Sequence, residues 1–572
     1  MDVSTKKIYV YGIGRVQRDF EYIFDNLFVE GYLVDEEIDV ETWAGKKVYH
    51  LTEYEKNDDN LIVICDFQFQ IIAQKLEKNG YKRGTEFVIL DDLLEKLDFP
   101  LEEKAKGREI LVWGTGYQAT VFLNEKKYSD IVSACVDNNV FSDRGLFKGK
   151  KVLHPTEIKK EEWKNYYIIV ATDAYFDIRE QLISYGLKEK DDFVWKNYIW
   201  LKPSEMLRKT IYDRAQYDVV CDTMLNTYEV EATGDVCCCC TTFMEERLGN
   251  LIYSEFDEIW NSNIHKVLCL SALNKTYSFC KKDMCPVLMK KKKYEYVEDY
   301  KPKKYRAFKK RPKVMLISID STCNLYCESC RECVCALSGQ GLEKANIMAK
   351  KLLADDNLEN TELLVMAGNG EVFLSKIYEK IWSNEKTKNI KRFRLLSNGT
   401  LFNEKRWGDF SEGRKSEVVV TFSIDAATGD TYKQLRRGGN FEILMKNLEF
   451  ASQLRKTGKL GYFQISFVVQ RKNFKEMPLF VELGKKLGVD KVFFTRILNW
   501  GTYSEEEFAK VSMTDEEGKA NEELEKILEL PIMKEKIVDL GTINSKKNEK
   551  EYDYIDNYYI WEIERYLNGR NY

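Results

Sequence analysis

The sequence predicts an α/β protein of several domains, and three observations carry that prediction. An internal repeat fills roughly the first two hundred residues, a burst of cysteines lies between Cys221 and Cys285, and after Pro312 apolar strand-like runs alternate with helix-like ones. A chain of 572 residues is also too long for one hydrophobic core. Net charge is −5 with 32% charged residues, which gives no global attraction to nucleic acid or to an anionic membrane. No run is apolar enough to span a bilayer, and Met1 to Lys7 lead into a strand without a signal-peptide core. A cytoplasmic protein with no membrane partner is therefore expected. Fifteen cysteines in such a chain point to metal or redox chemistry rather than disulfides. With only His50, His154 and His265 as imidazole ligands, thiolate-bound iron is favoured over a histidine-rich zinc or copper site.

The repeat matches segment by segment. KKIYVYGIGR at the N-terminus pairs with REILVWGTGY (Arg108 to Tyr117), GYLVDEE with SACVDNN, GKKVYH with GKKVLH, and LIVICD with YIIVATD. Each unit reads strand, Gly-x-Gly turn, helix and further strands with a crossover helix that stops at Gly80 or Gly186, the grammar of a parallel sheet. Two small Rossmann-like domains are expected, at 1–104 and 105–202. Gly12 with Gly14 and Gly114 with Gly116 let backbone approach a phosphate, and Asp35 and Asp137 stand where a ribose-binding acid would. Gln17 and Ala119 replace the third glycine of the dinucleotide fingerprint. That disfavours NAD and leaves a nucleotide-sugar or metabolite site, or a purely structural turn. These halves resemble the Rossmann-type domains attached to sugar-modifying and capsule-related enzymes.

Eight cysteines follow in a segment assigned to 203–289: Cys221, Cys237, Cys238, Cys239, Cys240, Cys269, Cys280 and Cys285. A lysine-rich stretch at 290–312 reads as a solvated linker. From 313 to 500 the candidate strands are KVMLISID, ELLVMAG, RFRLLSN, VVVTFSID, YFQISFVV and KVFFTRI. Six strands with five crossovers predict a partial (β/α)6 barrel with functional groups at the C-terminal strand ends. The charged, cysteine-free tail at 501–572 reads as a helical extension.

The cysteines Cys323-x3-Cys327-x2-Cys330 suit one iron-sulfur cluster with one iron left without a protein ligand. Behind them stand GNGE at 368–371, SNG from Ser397, SID ending at Asp425, RRGG containing Arg436, and Gln470 at the end of the fifth strand. With these motifs the region resembles the radical SAM superfamily. The resemblance implies a 4Fe-4S cluster on Cys323, Cys327 and Cys330 whose fourth iron is chelated by S-adenosylmethionine. It also implies binding of that molecule by Gly368, Asn369, Gly370 and Glu371 at its amino group and by Ser397 and Asn398 after the third strand. Ser423 and Asp425 would lie near the ribose, Arg436 at the methionine carboxylate and Gln470 at the adenosine. Ser329 stands where the family often has an aromatic residue. A zinc site is the rival reading of the triad, but it needs a fourth protein ligand and leaves GNGE and SID unexplained.

Cys221, Gly234, Cys239, LGNL, SEFDEIWNS and FCKKDMCP resemble the auxiliary-cluster domain called SPASM, which usually follows the radical SAM core but here precedes it. The resemblance implies one auxiliary 4Fe-4S cluster on Cys221, Cys239, Cys280 and Cys285, with Cys238 the substitute for Cys239 and structural zinc the alternative occupant. Four consecutive cysteines cannot all face one cluster, because neighbouring side chains point apart. The expected activity is reductive cleavage of S-adenosylmethionine to a 5'-deoxyadenosyl radical, which takes hydrogen from a sugar, nucleotide-sugar or other small metabolite. A reductant such as flavodoxin or ferredoxin would supply the electron. A peptide-modifying enzyme and a non-catalytic nucleotide-binding scaffold are the alternatives. Cys333 and Cys335, just beyond the cluster loop, are candidate hydrogen donors for an epimerisation, with ordinary structural thiols the alternative.

Overall fold

The computed structural model describes residues 3–35, 41–139, 145–172, 174–200, 202–213, 217, 221, 223–240, 243–244, 246–282, 285, 288, 311–366, 370–499, 502–515 and 518–543. The expected linker therefore lies almost wholly outside the described residues, as does the tail beyond 543. The chain forms two compact units, Met1–Asp213 and Arg214–Tyr572.

The first unit holds two six-stranded sheets. One is built from β1 (Lys7–Tyr11), β2 (Val29–Val34), β3 (Thr42–Trp43), β4 (Lys46–His50), β5 (Asn60–Ile64) and β6 (Phe87–Ile89). The other contains β7 (Glu109–Trp113), β8 (Val132–Val136), β9 (Leu146–Phe147), β10 (Lys150–Leu153), β11 (Tyr166–Val170) and β12 (Phe193–Trp195). Their orders are β3-β4-β2-β1-β5-β6 and, read from the same end, β9-β10-β8-β7-β11-β12, so the repeat seen in the sequence is a repeat of topology. The central strands are parallel and buried on both faces, which is why they read as unbroken apolar runs.

The Gly-x-Gly turns divide into two kinds of position. Gly12 (φ 106°) and Gly114 (φ 122°) lie against the next strand end, where an added Cβ would sit 2.7 Å from the Cys65 carbonyl oxygen and 2.6 Å from that of Ala171. Packing within the sheet thus demands these two glycines. The acids beside them are engaged inside their own repeats. Asp137 accepts from the Thr115 amide (2.9 Å) and hydroxyl (2.6 Å), and Asp35 pairs with Lys75.

Helix Pro203–Tyr212 closes this unit, beyond residue 202 where the second repeat was expected to end. Its Ser204 amide donates to Asp98 (2.9 Å), and Arg208 reaches Glu95 (2.8 Å).

The second unit is organised by one ten-stranded sheet. Its strands are β13 (Thr227–Glu231), β14 (Asp235–Cys237), β15 (Gly249–Asn250), β16 (Val314–Ser318), β17 (Leu363–Met366), β18 (Arg392–Ser397), β19 (Glu417–Ser423), β20 (Tyr462–Val469), β21 (Lys491–Arg496) and β22 (Val538–Asp539). The order is β15-β14-β13-β16-β17-β18-β19-β20-β21-β22, and from β13 to β22 every pairing is parallel. The six expected strands appear in sequence order.

Two differences from the sequence reading stand out. The cysteine-rich segment does not stand apart, because β13 pairs with β16 from Thr227↔Val314 to Glu231↔Ser318 and extends the same sheet. The C-terminal extension is not only helical: beside helices Glu505–Val511 and Glu522–Leu528 it contributes β22 at the other edge. Both additions continue a ladder whose hydrogen-bonding groups need partners, a demand that side-chain periodicity does not reveal. Among the described residues no helix is long and apolar enough to cross a membrane.

Candidate iron-sulfur and cofactor site

The loop after β16 carries the Cys323 triad, and the ends of the next strands close around it. Cys323, Cys327 and Cys330 line one pocket with Leu325, Arg331, Gly370, Leu396, Ser397, Asn398, Ser423 and Arg436. Cys323 is buried, Cys327 half-buried and Cys330 exposed, so the three thiols run from the protein interior to its surface. The loop is held at several points. The Cys323 amide donates to the Cys335 carbonyl (2.8 Å), the Tyr326 amide to that of Arg437 (3.0 Å) and the Glu328 amide to that of Leu435 (3.1 Å). Each of the three sulfurs has a donor nearby: the Leu325 amide (3.5 Å) and Asn398 Nδ2 (3.8 Å) for Cys323, Arg436 Nη1 (3.6 Å) for Cys327, and Arg331 Nε (3.4 Å) for Cys330.

Gly370 is required by close approach. A Cβ there would collide with the Asp320 carbonyl oxygen and lie 2.6 Å from that of Thr322. The next residue, Glu371, has no exposed surface, and its carboxylate is largely used: Oε1 accepts from the Ser397 hydroxyl (2.7 Å) and the Phe373 amide (3.2 Å), and Oε2 from the Asn398 amide (2.7 Å). Burial pushes the Glu371 carboxyl above its ordinary range, and these donors act in the opposite sense. Glu371 thus ties the end of β18 to the end of β17 and stands behind the pocket wall instead of in it. Gly368 and Asn369 lie outside the described residues.

Asp425 also stands behind the wall. It takes a left-handed φ of 63°, held by Asn473 Nδ2 on its carbonyl (2.9 Å) and by the Val468 amide on Oδ1 (2.8 Å). Its Oδ2 pairs with Arg436 at 2.7 Å, so the expected ribose contact is instead committed to an arginine that reaches the Cys327 sulfur. Burial raises the Asp425 carboxyl and the Arg436 charge lowers it, with burial the larger effect. Burial works against the Arg436 cation, yet Asp425 and Cys327 leave its pKa raised overall. Ser423, by contrast, lines the pocket. Gln470 is buried outside it, and its Oε1 has no hydrogen-bond partner among the described residues. Cys333 is exposed, and Cys335 is half-buried with its sulfur 3.4 Å from Ser321 Oγ.

Two residues that the sequence reading passed over belong to the site. Arg331 follows the third cysteine directly, and a cation next to a thiolate was a legible signal. Asn324 links the triad loop to β18 by accepting from Asn398 Nδ2 (3.0 Å) and donating to Thr400 Oγ1 (2.9 Å).

The second cysteine group surrounds the start of β13. Cys221, Cys280 and Cys285 all act electrostatically on Cys239, and Cys221 and Cys285 on Cys280, whereas Cys238 is acted on by Cys269, with Cys237 and Cys280 behind it. Cys238 and Cys239 both lie just beyond β14, which ends at Cys237. Burial drives the Cys239 thiol well above the ordinary thiol range, with Cys221, Cys240, Cys280 and Cys285 adding to it. The Cys221 amide is held by the Tyr277 hydroxyl oxygen (3.0 Å). Among the described residues, no three Cys, His, Asp or Glu side chains converge as they would around a single metal ion.

The donor chemistry of the first pocket fits the implied group. Soft thiols stand on one side, hydroxyl, amide and guanidinium groups face them, and a close-packed glycine keeps the space open.

Comparison with known proteins adds independent evidence. Residues 221–286 match the SPASM iron-sulfur cluster-binding domain, and residues 106–191 match the C2185-like N-terminal domain. Curated relatives include probable GTP 3',8-cyclases of Methanococcus maripaludis strains C7 and C6. Each is 26% identical over 175 residues, covering 30% of this chain and 55% of the relative. The chain thus spans about half the length of the curated relatives it matches. Among solved structures, Streptococcus suis SuiB bound to S-adenosylmethionine is 16% identical over 34% of this chain and 43% of that one, with a TM-score of 0.26. Native anSMEcpe with bound AdoMet is 20% identical over 32% of this chain and 52% of that one, with a TM-score of 0.25. At such scores these structural likenesses carry no argument. The cysteine motifs and the sequence matches together support a radical SAM enzyme with a SPASM-like iron-sulfur domain, with 4Fe-4S clusters and S-adenosylmethionine as its cofactors.

Proposed function

We propose that this chain is a radical SAM enzyme acting on a small molecule, with a sugar or nucleotide-sugar as the substrate class and oxidation or epimerisation as the outcome. The observation that carries the reading is the single pocket in which Cys323, Cys327 and Cys330 meet Gly370, Ser397, Asn398, Ser423 and Arg436 at successive strand ends. In this reading the parallel run from β16 to β21 is the partial barrel, and its C-terminal ends form the active face. When bound, the cluster and S-adenosylmethionine supply a 5'-deoxyadenosyl radical on one-electron reduction.

The residues then divide by task. The triad holds the cluster, and Gly370 meets the amino group, with Glu371 acting through Ser397 and Asn398 behind it. Arg436 carries positive charge to the carboxylate side, while Ser397, Asn398 and Ser423 face the nucleoside. Gly368, Asn369, Asp425 and Gln470 complete the set as the family resemblance implies, Asp425 acting through Arg436. Cys221, Cys239, Cys280 and Cys285 hold the auxiliary cluster. A flavodoxin or ferredoxin delivers the electron, and Cys333 or Cys335 is the hydrogen donor if the reaction is an epimerisation. The small-molecule class is supported by the duplicated parallel sheets of the first unit and by the nucleotide in the names of the curated relatives.

Anaerobic reconstitution, reduction with dithionite and assay for 5'-deoxyadenosine test the chemistry: no cleavage with both clusters loaded would defeat it and leave the scaffold reading. Deuterium transfer into 5'-deoxyadenosine from labelled nucleotide-sugars tests the substrate class, and transfer from a labelled peptide instead would establish the peptide-modifying alternative.

A further inference from the structure

We propose that Arg331 sets the reduction potential of the cluster held by Cys323, Cys327 and Cys330, a role that rests on the reading of that pocket given above. The three sulfurs are not equivalent. Cys323 receives neutral amides, from Leu325 and Asn398. Cys327 receives a guanidinium whose charge is already matched by Asp425 at 2.7 Å. Cys330, the exposed thiol, receives Arg331 Nε at 3.4 Å, and Arg331 Nη1 donates at 2.7 Å to the carbonyl of Ser321, a neutral acceptor on the other flank of the loop. Arg331 therefore bridges the two ends of the cysteine loop and brings a cation to the pocket wall.

Adding one electron to the cluster adds one negative charge to a site already rich in thiolate. A fixed cation and an N–H aimed at a ligand sulfur stabilise that reduced state, and hydrogen bonds to cluster sulfurs are an established lever on potential. Arginine suits the task because its fork holds a carbonyl and a sulfur at once, whereas a lysine offers a single point charge.

The test is an EPR-monitored redox titration of the reconstituted full chain, with the auxiliary cluster as internal reference. In Arg331→Gln the midpoint of the triad cluster should move to more negative potential while the auxiliary midpoint stays in place. A tenfold fall in the reduced fraction at a fixed, sub-saturating poise corresponds to about 59 mV for one electron. Arg331→Lys should fall between the native protein and Arg331→Gln. If the glutamine variant does not load iron, the lysine variant decides: a midpoint equal to or above the native one overturns the proposal. The native protein must first show a change in its EPR spectrum on adding S-adenosylmethionine. Absence of that change defeats the reading of the pocket, whereas a native-like midpoint in an Arg331 variant of a protein that passes defeats only the role of Arg331.

Discussion

The two cysteine sites of the second unit occupy opposite ends of the same sheet. The Cys323 loop follows the C-terminal end of β16, while Cys221 precedes β13 and Cys239 follows β14, which runs back toward the N-terminal end of β13. The paired stretch from Thr227↔Val314 to Glu231↔Ser318 is four residue steps, or about 13 Å at the rise of a strand. The surroundings differ as well. The triad opens outward from buried Cys323 to exposed Cys330 and faces polar groups from three other strand ends; the quartet begins at buried Cys239 and Cys285 and has four candidate thiols of its own. In the proposed reading, one site leaves a coordination position for a small molecule and the other completes its own coordination. The lesson is that cysteine number alone does not separate a reactive cluster from a closed one; what faces the thiols does.

The strongest way to break this comparison is Cys327→Ala. Formation of 5'-deoxyadenosine should fall to background while the spectrum of the auxiliary cluster persists, and residual cleavage would show that the vacancy lies elsewhere. Next in size is the contrast between Cys239→Ser and Cys238→Ser. The first should abolish the auxiliary cluster; the second should retain it and cost about 1–3 kcal/mol for a buried hydroxyl with an imperfect partner. Mössbauer iron counting on both variants decides, and the reverse pattern would exchange their roles.

Gly370→Ala sharpens the comparison at the open site. Crowding against the Asp320 and Thr322 carbonyls should cost about 1–3 kcal/mol in denaturant unfolding and weaken S-adenosylmethionine binding together. The smallest expected effect is that of Glu371→Gln. Because burial holds this carboxyl above its ordinary value, the folded chain keeps a proton that the unfolded chain has released. Its contribution makes stability fall as pH rises from about 4.3 toward the raised folded-state value. The glutamine variant should lack that slope while losing about 1 kcal/mol from the mismatched amide donor.

Much of this was legible in the residues. KVMLISID, ELLVMAG and their successors are short apolar runs because parallel strands are buried on both faces, and all six appear in order. The repeat was readable because both halves keep the same turn glycines and the same apolar periods. Less legible were positions where one residue satisfies another. Glu371 in GNGE and Asp425 in SID read as groups that face a ligand, yet each spends most of its hydrogen-bonding capacity on neighbours brought there by folding, Ser397 and Asn398 for one, Arg436 and Val468 for the other. Local sequence carries no record of such long-range partners.

By itself the sequence determined the donor types, their spacing and the alternation of strand and helix, because thiolate chemistry and backbone periodicity are properties of short segments. Only the tertiary structure decided that β13 and β22 extend the central sheet, that Cys221, Cys280 and Cys285 gather near Cys239, and that Arg331 and Arg436 serve different sulfurs of one triad. The physical reason is common to all three. Strand pairing, the facing of side chains and the matching of charge are settled between residues far apart in the chain, where proximity is a product of folding.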